Sequence, residues 1–184
     1  MEDPFHRAWA LHDQGRKAQA LRVFLAGAKR GDRSCQTMAG FFYDEGIGGR
    51  PNREKALYWY RRAYRRGDAP AAVNIGLIYK ASGQTQRAIQ WLQRALSLGD
   101  EDSALDLARI YADIDQAGEQ TAQYLRMAAD GKNVTEATRE EARRLLQVAR
   151  KKDPKRAPRG KETHRSSTQK RSAKATARHY MEHG

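Results

Sequence analysis

The chain is poor in the residue types that most often carry chemistry. Cys35 is the only cysteine among 184 residues, so no internal disulfide can form and nothing points to an oxidising compartment. His6 and His12 are the only histidines in the first 149 residues, and no Ser-His-Asp or Cys-His set can be assigned around them. Long apolar runs are missing. The opening stretch MEDPFHRAWALHDQGRK carries acids and an early proline, unlike a secretory signal or a membrane anchor. Gly46-Ile47-Gly48-Gly49 is glycine-rich, but no Lys-Ser/Thr follows it and no strand precedes it, so it is not a phosphate loop. These absences predict a soluble, cytoplasmic protein that is not an enzyme, with no cofactor and no metal site.

Charge is abundant and uneven. Thirty-five Lys and Arg stand against 22 Asp and Glu, and mean hydropathy is −0.91. Residues 150–184 hold twelve of the bases and three acids, whereas residues 1–149 keep a net charge of only +4. One domain followed by a basic tail fits this length and split.

What recurs is a spacing. Gly31, Gly67, Gly99 and Gly131 lie 36, 32 and 32 residues apart, and the first three precede Asp32, Asp68 and Asp100. A period of this size marks stacked helical hairpins. From the second unit on, the first helix repeats the columns Cys35/Ala71/Ser103, Ala39/Ile75/Leu107, Gly40/Gly76/Ala108 and Tyr43/Tyr79/Tyr111. Spacings of three and four put these on one helical face. The second helix repeats Ala20/Ala56/Ala88, Val23/Trp59/Trp91 and Phe24/Tyr60/Leu92/Tyr124. Small residues let helices approach closely, and the aromatic residues fill the space beside them, so Cys35, Trp59 and Trp91 read as packing. Glycine after the last turn suits a left-handed cap, and the following Asp can accept from the amides that open the next helix.

From Cys35 to Asp68 the pattern Gly40-x-x-Tyr43, Gly46-x-Gly48, Lys55-Ala56-x-x-Trp59-Tyr60 and Ala63 before Gly67 resembles a Sel-1-like repeat, a subclass of tetratricopeptide-like αα-hairpin solenoids. The third unit matches in both helices with a loop four residues shorter (Ala81-Ser82-Gly83-Gln84), and the outer units are degenerate, as the ends of a solenoid must be. The expected architecture is all-α: a short right-handed solenoid of about four hairpins over 4–32, 33–68, 69–100 and 101–132. A capping helix over 135–152 follows, with Thr135 as its N-cap, then a disordered basic tail over 153–184. The resemblance implies a non-enzymatic scaffold or adaptor, often bacterial, with an unidentified protein or peptide on the concave face; a monomer is expected.

If the first helices line that face, as the resemblance implies, the column beside the glycines gives Trp9, Phe41, Leu77 and Arg109. Flanking columns give His12, Asp44 and Lys80, then Glu45 and Asp113, with Asn74 and Asp106 on the other side. Such an apolar strip flanked by carboxylates suits a peptide whose basic residues frame apolar anchors. Packing between repeats is the alternative reading of Trp9, Phe41 and Leu77. Asp100-Glu101-Asp102 and Glu140-Glu141 read as solvated acids at helix starts.

The tail has too few apolar residues to offset its chain entropy. Lys151, Lys152, Lys155, Arg156, Arg159, Lys161, Arg165, Lys170, Arg171, Lys174 and Arg178 make it a candidate arm for RNA, DNA or another polyanion. A solubilising tail, or one for an acidic protein or membrane surface, is the other reading. His179-Tyr180-Met181-Glu182-His183 fits H-x-x-E-H formally, but it lacks the rigid helix and third ligand of a zinc enzyme.

Overall fold

The computed structural model describes residues 3–114 and 118–152. Among these residues there are nine helices and no strand, in agreement with the all-α expectation: α1 (Pro4–Asp13), α2 (Lys17–Lys29), α3 (Arg33–Glu45), α4 (Arg53–Tyr64), α5 (Ala69–Ala81), α6 (Thr85–Ser97), α7 (Ser103–Ile114), α8 (Glu119–Asp130) and α9 (Glu136–Lys152). α1/α2, α3/α4, α5/α6 and α7/α8 pack as hairpins, and each second helix packs on the first helix of the next pair. The chain to Ala149 is one compact unit.

Short polar signals start the helices. Asp32 caps α3 by accepting from the Cys35 amide at 2.7 Å, and Asp68 caps α5 by accepting from Ala71 at 2.8 Å. Asp100 accepts from the Ser103 amide at 3.0 Å and also from its hydroxyl. The glycine before each of these acids, Gly31, Gly67 and Gly99, adopts φ of 93°, 80° and 92°, where an L side chain is strained. Gly131 differs. Its φ is −59°, so the fourth member of the series is not a left-handed cap. A Cβ there would meet Val134 Cγ2 at 2.5 Å and the Met127 carbonyl oxygen at 2.8 Å, so this glycine answers to crowding instead.

The repeated columns form the core. Cys35, Ala39, Ala71, Ile75, Leu107, Ala20, Ala56 and Ala88 are fully buried. A Cβ on Gly40 would stand 2.6 Å from the Tyr60 ring, and one on Gly76 would stand 2.9 Å from Leu92 Cγ; the two helices of a hairpin approach closely through these gaps. Trp59 is buried against the first cluster, around Phe24 and Phe42. Trp91 is half-buried and meets Tyr64 edge-to-face at 4.9 Å. Burial pushes the Cys35 thiol up to about 12, which keeps it protonated and unreactive.

The Sel-1-type loop of the second hairpin folds back on the first. Ile47 joins the cluster of α1–α3, and Gly48, at φ 79°, leaves no room for a Cβ against the Lys17 carbonyl, 2.7 Å away. The third hairpin has no such loop, and Gln84 instead donates its amide to the Tyr79 carbonyl at 2.9 Å.

α9 covers the last hairpin through Ala142, Leu145 and Leu146. Thr138 donates its amide to Thr135 Oγ1 at 3.4 Å, a long cap bond at the expected residue. The acids read as solvated have partners here. Glu101 accepts from the Asn133 amide at 2.8 Å, Asp102 accepts from the Thr135 amide at 3.0 Å and hydroxyl at 2.9 Å, and Glu141 accepts from Arg109 at 3.2 Å. These acids hold α9 and its approach to the body. The tail residues from 153 onward, with the His179–His183 pattern, lie outside the described residues.

Candidate protein-binding face

The first helices of neighbouring hairpins touch, α1 against α3 and α3 against α5, and their unburied side forms one face. Trp9 sits half-buried in α1, edge-to-face with Phe24 at 6.0 Å and with His12 at 5.2 Å. His12 in turn meets Phe42 of α3 at 5.6 Å. Phe41 is half-buried and packs against the clusters on both sides of it. Both aromatic residues therefore fill the seam between hairpins and present only part of each ring. Leu77 of α5 is 39% exposed and offers an apolar side chain to solvent.

The polar positions divide in the same way. Asn74 and Lys80 are half-buried on α5, on either side of Leu77 in sequence. Glu45 is exposed at the end of α3, and Asp44 beside it is half-buried. Burial raises the Asp44 carboxyl above its ordinary value, Glu45 raises it further, and Arg53 opposes both. The buried Tyr60 hydroxyl has no hydrogen-bond partner among the described residues; burial, Asp44 and Glu45 all raise its pKa. In the fourth hairpin, Arg109 donates to Asp106 at 3.4 Å and to Glu141 at 3.2 Å, so its guanidinium is held by α7 and α9. Asp113 is exposed one turn further on. The structure thus joins Trp9, His12 and Phe41 into packed seams, leaves Leu77, Glu45 and Asp113 open, and ties Arg109 to α9. The tyrosine column has its own partners: Tyr79 accepts from Arg61 at 2.8 Å, and Tyr111 stacks on Tyr124 at 5.5 Å.

Charge is concentrated on particular helices, a feature that a net charge of +4 conceals. The segments carrying α3 and α7, residues 32–46 and 100–114, hold three acids with one base and five acids with one base. Those carrying α2 and α4, residues 16–31 and 53–66, hold five bases with no acid and six bases with one acid. Counting charge helix by helix exposes this pattern. Among the described residues no cluster of three or more His, Cys, Asp or Glu side chains is arranged to hold a metal ion, and no helix is long and apolar enough to cross a membrane.

Comparison with known proteins agrees with this architecture. Residues 33–68 match the Sel1 repeat family and residues 69–100 match the tetratricopeptide repeat family. Over 61 residues the chain is 43% identical to an F-box protein of Arabidopsis thaliana, a stretch that covers 33% of this chain and 16% of that protein. The crystal structure of a Sel1 repeat protein from Oxalobacter formigenes superposes with a TM-score of 0.65 at 25% identity, over 81% of this chain and 61% of that one. A protective antigen of uropathogenic Escherichia coli strains, which displays an SLR fold, superposes with a TM-score of 0.58 at 20% identity; the match covers 97% of this chain and 45% of that one. The chain therefore spans less than two thirds of each of these proteins. With Gly40 and Gly76 closing the hairpins, the Gly48 loop seated on α2, and both central units matched, the chain carries a Sel1 repeat over residues 33–68 and a tetratricopeptide repeat over residues 69–100, within an αα-hairpin solenoid like those of Sel1 repeat proteins.

Proposed function

We propose that this chain is a non-enzymatic scaffold that holds a peptide or protein segment on the face of its first helices. The observation that carries this reading is Leu77: it is exposed on α5, with Asn74 and Lys80 within one turn of it and the Asp44–Glu45 pair at the end of the neighbouring α3. An isolated exposed leucine needs no explanation by itself. Here it occupies the proposed contact column of a repeat whose core columns are buried, on the helix that touches α3, where Asp44 and Glu45 favour a basic partner. The bound segment places an apolar side chain on Leu77 and the rims of Trp9 and Phe41, with Lys or Arg toward Asp44 and Glu45.

Selection of a random peptide library on the full chain tests this. Enriched peptides are expected to share an apolar anchor flanked by bases, and Leu77→Asp is expected to weaken them at least tenfold with its thermal midpoint unchanged. Peptides that bind Leu77→Asp and the parent equally well would place the site elsewhere.

A further inference from the structure

The second helices carry a surface that the scaffold reading leaves unused. α2 exposes Arg22 and Lys29 and is followed by exposed Arg30, and α4 exposes Lys55 and Tyr58 and is followed by exposed Arg65 and Arg66. The ends of the two helices lie together: a Cβ on Gly31 would stand 3.3 Å from Arg66 Nη1, and Arg33 Nε is 3.8 Å from Asp68. Of the nearby acids, Asp32 caps α3, Asp68 caps α5 and pairs with Arg33, and Glu54 stands exposed at the start of α4, so the bases outnumber them. Among the described residues the ion pairs use His6, His12, Arg33, Arg109, Arg139 and Arg144, not Arg22, Arg30, Arg62, Arg65 or Arg66. Uncompensated cations at this density raise the local potential and concentrate a polyanion.

Aromatic rings are interleaved with these cations. The Arg62 guanidinium lies over Tyr58 at 5.7 Å and over Trp59 at 5.6 Å, and Tyr58 is 51% exposed. Farther along, Arg94 lies over Trp91 at 4.4 Å. An acidic peptide would use the charges but gain little from an open ring face. A single-stranded nucleic acid uses both, with phosphates on the guanidinium forks and a base on the ring or the stacked guanidinium plane. α4 and the two arginines after it extend about 20 Å at 1.5 Å per residue, enough for several nucleotides.

We propose that the surface of α2 and α4 around Arg30, Tyr58, Arg62, Arg65 and Arg66 binds single-stranded nucleic acid, with the arginines on phosphates and a base against Tyr58. This site lies on the opposite helices from Leu77 and is independent of the peptide-binding face. It also belongs to the body, not the basic tail.

The test uses the full chain and a labelled oligouridylate of about 20 nucleotides, long enough to cover such a site, with affinity followed by anisotropy over a salt series. Arg30→Gln/Arg62→Gln/Arg65→Gln is expected to weaken binding at least tenfold and to lower the slope of log affinity against log salt by about 2, near 0.7 for each lost phosphate contact. Tyr58→Leu is expected to abolish photocrosslinking of a thiouridine-substituted oligonucleotide to α4. The tail variant Lys155→Gln/Arg156→Gln/Arg159→Gln is expected to keep that crosslink. Should the triple variant melt early, Arg65→Glu alone, at an exposed position, is expected to lower the slope measurably. An unchanged affinity and slope in folded arginine variants overturns the site. Displacement of the oligonucleotide by polyglutamate at equal charge concentration overturns the assignment to nucleic acid.

Discussion

Arg109 of α7 and Glu141 of α9 pair at 3.2 Å, which ties the fourth position of the proposed contact row to the chain's own last helix. Both side chains are partly exposed, at 45% and 35%, so the pair is worth no more than about 1 kcal/mol. Arg109→Ala is therefore expected to shift the denaturation midpoint only slightly and to leave peptide capture intact, whereas Leu77→Asp is expected to weaken capture at least tenfold. Binding assays on the two variants check this. Equal losses in both would extend the binding face across the fourth hairpin.

Gly27 and Cys35 make a tight junction between the first two hairpins, since a Cβ on Gly27 would stand 2.5 Å from Cys35 Sγ. Gly27→Ala is expected to destabilise by about 1–3 kcal/mol through overpacking. Adding Cys35→Ala removes the obstructing sulfur and is expected to recover part of that loss, so a double-mutant cycle should show favourable coupling. With its thiol buried and its pKa raised to about 12, Cys35 should resist alkylation at pH 8 until the protein unfolds; rapid labelling of folded protein would contradict this.

How much could be read from the sequence follows from which interactions are local. The columns Cys35/Ala71/Ser103 and Gly40/Gly76/Ala108 are visible because each unit repeats the same packing problem at the same spacing. The Gly-Asp caps are visible because the donor lies three residues from the acid, as in Asp32 with Cys35 and Asp68 with Ala71. The roles of Glu101 and Asp102 were not, because their donors sit 32 and 33 residues away on the approach to α9. Gly131 shares the period of the other turn glycines but not their backbone: the segment after it packs Val134 against Gly131 and sets the Asn133 amide on Glu101, ahead of α7. Along the proposed contact row, spacing defines the column but not the depth. Neighbouring aromatic residues, Phe24 and Phe42, decide that Trp9 and Phe41 are half-covered while Leu77 stands open.

The Asp102 interaction makes the last helix sensitive to acid. Burial alone would raise its carboxyl, but hydrogen bonds from Thr138 and Thr135 outweigh it and hold the pKa below the usual carboxylate value. A carboxyl depressed in the folded state contributes stability that is present in full above its unfolded pKa, about 3.9. That contribution is lost as pH falls through the lower folded value. Amide exchange across α9 is therefore expected to speed up below about pH 4 relative to α3, and Asp102→Asn is expected to blunt the difference. An α9 protection pattern identical in parent and variant across that range would show that another group anchors the helix.

Gly99 and Gly131 should fail for different reasons when substituted. At Gly99, φ is 92° and no heavy atom lies within 4 Å of a Cβ position. The cost is conformational, about 1 kcal/mol for alanine and more for a β-branched residue. Gly67, at 80° with equally open space, should behave alike, so Gly67→Val and Gly99→Val are both expected to destabilise by about 1 kcal/mol or more. At Gly131 the backbone angle suits any residue, but a Cβ would run into Val134, the Glu101 carboxylate and the Met127 carbonyl. Val134 belongs to the approach to α9, and Glu101 holds that approach by accepting from the Asn133 amide. Gly131→Ala is accordingly expected to cost more than Gly99→Ala and to loosen α9 selectively, read as lost amide protection at 139–146. A semisynthetic D-alanine separates the two causes: it suits the positive φ at Gly99 and is expected to restore stability there. At Gly131, which has no positive φ to satisfy, it is expected to bring no such recovery.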